Sequence, residues 1–264
     1  MIKILEDNLQ SLRRENPLIL NITNVVVTNI TANALLAVGA SPVMAYEEKE
    51  IEEMTSISKA LVVNIGTLTK ELVQTMFTAI KKANDLSIPV IFDPVGVGAT
   101  TYRSEVAHDI INNFKIDAIR GNSSEIANLS GFSIKTKGVD ADGEVGEIID
   151  LSCDLAQKHQ CVVCASGARD IITDSKTTYG VKNGDIMLTK ITGSGCISTA
   201  VMGAFMSVDS DVLTACLTGA VMIGTAGEIA GSRSKGQGQF QTVFFDNLSL
   251  FGKENLKLAK IEIL

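Results

Sequence analysis

Ala60-Leu61-Val62-Val63-Asn64-Ile65-Gly66 is an almost unbroken apolar run stopped by a glycine. Its length suits a strand buried on both faces, and Gly66 reads as the turn that ends it. Leu72, Val73, Met76, Phe77, Ile80 and Ala83 follow at helical spacing and form one apolar stripe. Ile88-Pro-Val-Ile-Phe-Asp93-Pro94 reads as the next strand, 107–114 as the next helix and Asp117-Ala-Ile-Arg120-Gly121-Asn122 as another strand. Apolar strands alternating with helices predict an α/β fold: a central, mostly parallel sheet with helices on both faces.

Toward the N-terminus, Ile4, Leu5, Leu9 and Leu12 mark a surface helix over 3–15, ended by Pro17. A strand over 17–21 leads into a segment where four asparagines (Asn21, Asn24, Asn29, Asn33) and three threonines alternate with apolar residues. Asn24 suits a helix N-cap, and the segment equally suits the mouth of a pocket for a small, neutral, polar ligand. Residues 39–45 read as a turn and short strand, and 47–58 as an exposed helix.

Toward the C-terminus, the spacing predicts a short helix over 125–130, a loop over 135–147 and a helix over 147–159. A strand over 160–167 and an antiparallel hairpin (170–174 with 177–181) follow. Two buried helices are expected over 197–208 and 213–229, then a basic loop over 231–238 and a final helix from 240 to 250. No linker or repeat interrupts residues 1–264, so they read as a single domain.

The 264 residues are 45% hydrophobic, enough for one large core, and carry a net charge of −7 with a pI near 5.0. That balance, without a lysine or arginine cluster, argues against nucleic acid as a partner. Five cysteines at 153, 161, 164, 196 and 216 form no disulfide framework, and MIKILEDNLQ lacks a secretory core, so a cytoplasmic protein is expected. Cys161-Val-Val-Cys164 looks like part of a strand, which sends the two thiols to opposite faces and disfavours metal binding. His108 and His159 read as surface residues. The uncharged stretches 191–208 and 212–227 are each shorter than the roughly 20 apolar residues of a membrane span and read as core helices.

The chemistry gathers at strand ends. Gly66, Asp93, Arg120 with Asn122 and Glu125, Ser166 with Gly167, and the turn Ile191-Thr192-Gly193-Ser194-Gly195-Cys196 are each expected after an apolar strand, on the rim where open parallel sheets bind ligands. The last turn opens a helix, so its backbone N–H groups form a candidate anion hole. A helix N-terminus favours the thiolate of Cys196, although a small-residue turn with a structural cysteine fits the stretch as well. Amide donors, carboxylates for magnesium (Asp93, Glu125) and an arginine (Arg120) together suit phosphoryl transfer. No G-x-x-x-x-G-K-[ST] motif is present, and Gly96-Val-Gly98 lacks the third glycine of a dinucleotide fingerprint.

Five segments resemble the hydroxyethylthiazole kinases of the ribokinase-like superfamily: 21–33 (NITNVVVTNITAN), 39–44 (GASPVM), 92–99 (FDPVGVGA), 119–125 (IRGNSSE) and 192–196 (TGSGC). The resemblance implies ATP-dependent phosphorylation of the hydroxyl of 4-methyl-5-(2-hydroxyethyl)thiazole, in thiamine salvage. It places Asn24, Val26, Met44, Gly66 and Gly193 at the thiazole, and Arg120, Ser166 and Gly195 at ATP. Asp93, Asn122 and Glu125 fall at the Mg2+ ion, directly or through water. It also implies a homotrimer whose thiazole pocket is completed across a subunit boundary. Cys196 stands where most of the superfamily carries an aspartate base. With a reference pKa of about 8.5, a cysteine there is expected to assist proton removal without being indispensable. A kinase for another alcohol and a non-catalytic ligand-binding protein are the alternatives.

Overall fold

The computed structural model describes residues 1–132 and 141–264, without the side chains of 141–145. The chain runs α1 (Ile2–Glu15), β1 (Leu18–Ile22), α2 (Thr28–Val38), β2 (Ser41–Met44), α3 (Glu48–Ile57), β3 (Ala60–Asn64), α4 (Lys70–Asp85), β4 (Val90–Asp93), α5 (Thr101–Asn113), β5 (Ala118–Asn122) and α6 (Ser123–Leu129). It continues with α7 (Ala141–His159), β6 (Val162–Ser166), β7 (Asp170–Thr173), β8 (Thr178–Val181), a 3-10 turn (Ile186–Lys190), α8 (Ser194–Met206), α9 (Val212–Arg233), α10 (Gln237–Ser249), α11 (Lys253–Leu256) and β9 (Ile261–Ile263).

The nine described strands form one sheet in the order β2-β1-β3-β4-β5-β6-β7-β8-β9. Pairing from β2 through β6 is parallel and from β6 to β9 antiparallel, so the expected mostly parallel sheet is present. Side chains alternate along each strand between two cores. Val62, Ile91 and Cys164 join α1, α2, α8, α9 and α10 on one face, while Leu61, Phe92 and Cys161 join α3 to α7 on the other. The two thiols of the C-x-x-C run therefore point to opposite faces, as a strand requires. Among the described residues, no group of three or more His, Cys, Asp and Glu is placed to hold a metal.

Several expected boundaries shift. Of the expected loop 135–147, residues 135–140 lie outside the described residues, and 141–147 are the first turns of α7. The expected basic loop 231–238 shrinks to 234–236, because α9 runs to Arg233 and α10 starts at Gln237. The helix ending at Ser249 is not the last element; α11 and β9 follow, and β9 pairs with β8 at the sheet edge. α9 is also longer than the expected 213–229. At 22 residues it is long and apolar enough to cross a membrane, yet 83% of its most apolar stretch is buried inside the protein, against α8, α10 and three strands.

Candidate active site

Several of the parallel strands end in polar residues. In register, Asn64 of β3 lies beside Asp93 of β4, and Asn122 of β5 beside Ser166 of β6. The expected rim therefore exists, with one correction. The turn at 192–196 follows the 3-10 turn and not a strand, and it reaches the rim because α8 packs across β1, β3 and β4.

Gly193 is the N-cap of α8 and adopts φ +84°, a left-handed conformation that glycine takes without cost. Ile197 is the first residue to bond back, to Gly193 O at 2.8 Å. The N–H groups of Ser194, Gly195 and Cys196 find no partner among the described residues and point outward from a 13-residue helix. These are the donors that an anion hole at this turn would need. A side chain on Gly195 would come within 2.6 Å of Arg120 Nη1, so the bare backbone lets the guanidinium approach the helix end. Arg120 Nη2 donates to Ser166 Oγ at 2.8 Å, while its buried Nε has no partner among the described residues.

These groups open onto a cavity of about 500 Å³, lined by Arg120, Ser166, Gly167 and Gly195 together with Gly184, Leu188, Ile223 and Gly224. The lining combines a guanidinium and N–H donors with aliphatic walls. That combination suits a molecule with an anionic tail and a flat, weakly polar head. Asp170 also lines it; its carboxylate accepts from Gly167 N–H at 3.0 Å, and burial pushes its pKa up to about 6.

Next to the helix end a second cluster forms around Cys196. Asn24 Nδ2 donates to Cys196 Sγ at 3.4 Å and to Asn64 Oδ1 at 2.9 Å. Asn24 is therefore not a helix cap; Val27 holds that position in α2, without a side-chain bond. A Cβ on Gly66 would lie 2.7 Å from Asn24 Nδ2, so only glycine lets the β3 turn close over this amide. Asp93 is 1% exposed; its Oδ2 accepts from Asn64 Nδ2 (2.9 Å) and Thr199 Oγ1 (2.7 Å), while its buried Oδ1 has no partner among the described residues. Burial raises its pKa to about 6, against the opposing pull of Arg120.

At Cys196 two effects oppose each other. Burial, then the charge of Asp93, push its thiol up to about 11, and these outweigh the two amide donors and Arg120. The dipole at the first turn of α8 does not make it a ready thiolate, because desolvation is the larger effect.

Asn122 and Glu125 form a capping box at the start of α6. Glu125 N–H donates to Asn122 Oδ1 (2.9 Å), Asn122 N–H to Glu125 Oε2 (2.8 Å), and Gly96 N–H to Glu125 Oε1 (2.9 Å). Both carboxylate oxygens of Glu125 already accept backbone hydrogens. Met44 ends β2 at the far side of the rim, beside Asn21 of β1. Val26 is not enclosed: it is 65% exposed and lines a separate hollow of about 370 Å³ with Asn29, Ile30, Lys190, Thr192 and Gln237.

Three contributors carry no sequence signal strong enough to single them out. Asn64 interrupts an apolar strand, which is its one hint. Thr199 sits inside an apolar helix. Arg103 lies in an ordinary surface-like helix, yet it donates to Ile65 O (2.8 Å), Val95 O (2.7 Å) and Gly66 O (2.7 Å), clamping the turns after β3 and β4 together.

Comparison with known proteins shows the family. The hydroxyethylthiazole kinase family matches residues 9–254. The structure of a hydroxyethylthiazole kinase protein from Pyrococcus horikoshii OT3 is 37% identical, with a TM-score of 0.92 over 99% of both chains. A ribokinase-like superfamily protein from Enterococcus faecalis V583 (10% identity, TM-score 0.68, 96% of this chain and 95% of that one) shares the fold. So does pyridoxal kinase from Staphylococcus aureus in complex with pyridoxal (12% identity, TM-score 0.67, 94% and 98%). The fold is ribokinase-like, and with a match across nearly its whole length the chain belongs to the hydroxyethylthiazole kinase family.

Proposed function

We propose that this protein transfers the γ-phosphoryl group of ATP to the primary hydroxyl of 4-methyl-5-(2-hydroxyethyl)thiazole, in thiamine salvage. The observation that carries the reading is the row of three stations along one rim: a neutral, amide-lined end at Asn24 and Gly66, the free N–H groups of α8, and the arginine-bearing cavity beyond them. Nothing among the described residues donates to Asn24 Oδ1, whereas its Nδ2 is fully engaged; the ligand meets an acceptor there, which suits a hydroxyl. Gly193, Met44 and Val26 complete the thiazole side. Arg120, Ser166 and Gly195 bind the nucleotide, with the triphosphate at the helix end. ADP release measured with and without the thiazole tests the assignment. Turnover that does not depend on the thiazole, or that prefers a competing pyrimidine alcohol or sugar at equal concentration, rejects it.

Magnesium accompanies ATP in this reading. The residues fit an oxygen-ligated ion: Asp93 Oδ1 is a buried carboxylate oxygen with no partner among the described residues, whereas Glu125 and Asn122 have their acceptors engaged and would meet the ion through water. When bound, it neutralises phosphate charge.

Cys196 stands beside the attacking hydroxyl and orients it. With its pKa pushed up to about 11, the residue is a thiol at neutral pH, and a loose transition state asks little of a base. Cys196→Ala is expected to lower kcat by about 10- to 100-fold with ATP binding intact, and Cys196→Asp to keep substantial activity, since Asn24 and Asn64 would hydrogen-bond a carboxylate as well. Steady-state kinetics check both; loss of all turnover in folded Cys196→Ala contradicts an assisting role.

The protein acts as a homotrimer in which a neighbouring subunit covers the thiazole. Val25 and Val26, 68% and 65% exposed beside Asn24, support this. Light scattering at neutral pH is expected to give three times the 28.0 kDa chain mass. Five free cysteines, with no disulfide, support a cytoplasmic setting.

A further inference from the structure

Asn64 ends β3 with its side chain in the protein interior, 1% exposed. Burying an amide is costly unless its hydrogen-bonding capacity is met, and here all four positions are filled. Oδ1 accepts from Asn24 Nδ2 and from Gly66 N–H, both at 2.9 Å; Nδ2 donates to Asp93 Oδ2 at 2.9 Å and to Cys196 Sγ at 3.2 Å. These partners also fix which end of the amide is oxygen, because a flipped group would set donor against donor at Gly66.

The second amide at the sulfur depends on the first. Asn24 lies outside the sheet, just before the exposed Val25 and Val26, and one of its two Nδ2 hydrogens is taken by Asn64 Oδ1. Asn64 is instead locked into a strand paired on both sides, by β1 and β4. Removing it would leave Cys196 Sγ without its shorter contact and loosen the longer one.

We propose that Asn64 is a positioning residue for phosphoryl transfer, acting through Cys196: its amide sets the sulfur relative to Asn24 and Asp93, so that the attacking hydroxyl is presented in line with the phosphate held at the start of α8. The inference rests on the placement of Cys196 at that hydroxyl. Displacement of a reacting group by about 1 Å costs on the order of 10²-fold in rate, which sets the size of the effect.

The test is a double-mutant cycle in the full-length protein: wild type, Asn64→Ala, Cys196→Ala and the pair, each assayed with Mg-ATP and the thiazole at saturation. Asn64→Ala is expected to lower kcat by about 100-fold in wild type, with KM for ATP within about threefold, and by less than about tenfold when Cys196 is already alanine. An equal loss in both backgrounds, or a KM for ATP that rises with kcat unchanged, overturns the inference and leaves the reading of Cys196 standing. A silent Cys196→Ala overturns both. If Asn64→Ala does not fold, as judged by circular dichroism, Asn64→Leu, of similar size and without N–H donors or a charge, is carried through the same comparison with the same criteria.

Discussion

Asp93→Asn is expected to lower turnover by about 10²- to 10³-fold while making the metal-free protein more stable near neutral pH relative to wild type. The catalytic loss follows from replacing a carboxylate oxygen that is buried and without a partner among the described residues. The gain in relative stability follows from the same burial. The folded-state pKa of Asp93 is raised to about 6, above the 3.8 of an exposed aspartate, so the folded protein binds a proton that the unfolded chain has released. Stability therefore falls as pH rises through the window from about 4 to 6, and the variant, which cannot ionise, escapes that fall. The expected difference between the two proteins moves by about 2–3 kcal/mol in favour of asparagine between pH 3.5 and 7, measured by urea unfolding without magnesium. A pH-independent difference would show that Asp93 does not bear the cost of ionising in the core. Unchanged turnover would remove it from the reacting end.

Gly193→Ala is expected to cost about 1–3 kcal/mol of stability and roughly 10²-fold in turnover. Two effects add. At φ +84° an L-residue pays on the order of 1–2 kcal/mol, and the new Cβ would fall 2.8 Å from Val27 Cγ1, a contact with little room to yield because Val27 is only 3% exposed. Relief requires the turn to shift away from α2, and the N–H groups of Ser194, Gly195 and Cys196 shift with it. Thermal unfolding and steady-state kinetics measure the two parts. A variant with a lowered Tm and unchanged kcat would mean that the helix end is not where charge develops in the transition state.

How far the sequence alone reaches is visible at particular residues. The alternation around Ala60–Gly66 requires a parallel sheet, since strands apolar on both faces need helices on both faces, and the core assignments of Leu61, Val62 and Phe92 bear this out. The glycine turn before α8 was legible because left-handed φ and bare backbone demand glycine. Boundaries were less so: Ala141–Gly146 contains glycines and acids that read as loop, yet helix forms there. β9 was missed because Ile261-Glu-Ile263 is too short to carry a periodicity, and it forms only because β8 offers it an edge.

The site divides in the same way. Residue types and order placed Asp93, Glu125, Ser166 and Cys196 at or near the ends of elements, and local chemistry sufficed for that, while Arg120 lies within β5. The state of Cys196 was decided by the tertiary structure: a helix N-terminus lowers a thiol pKa, but burial beside Asp93 raises it further, and burial is a property of what packs around a residue rather than of its neighbours in the chain. The clamp of Arg103 on three carbonyls likewise joins residues 8 to 38 positions apart, and the engagement of Asn64 with Asn24, Asp93 and Cys196 joins residues 29 to 132 positions apart. Sequence by itself determined which backbone conformations and which periodic faces were possible; only the folded chain decided which polar groups lost water together, and that shared desolvation gives the site its chemistry.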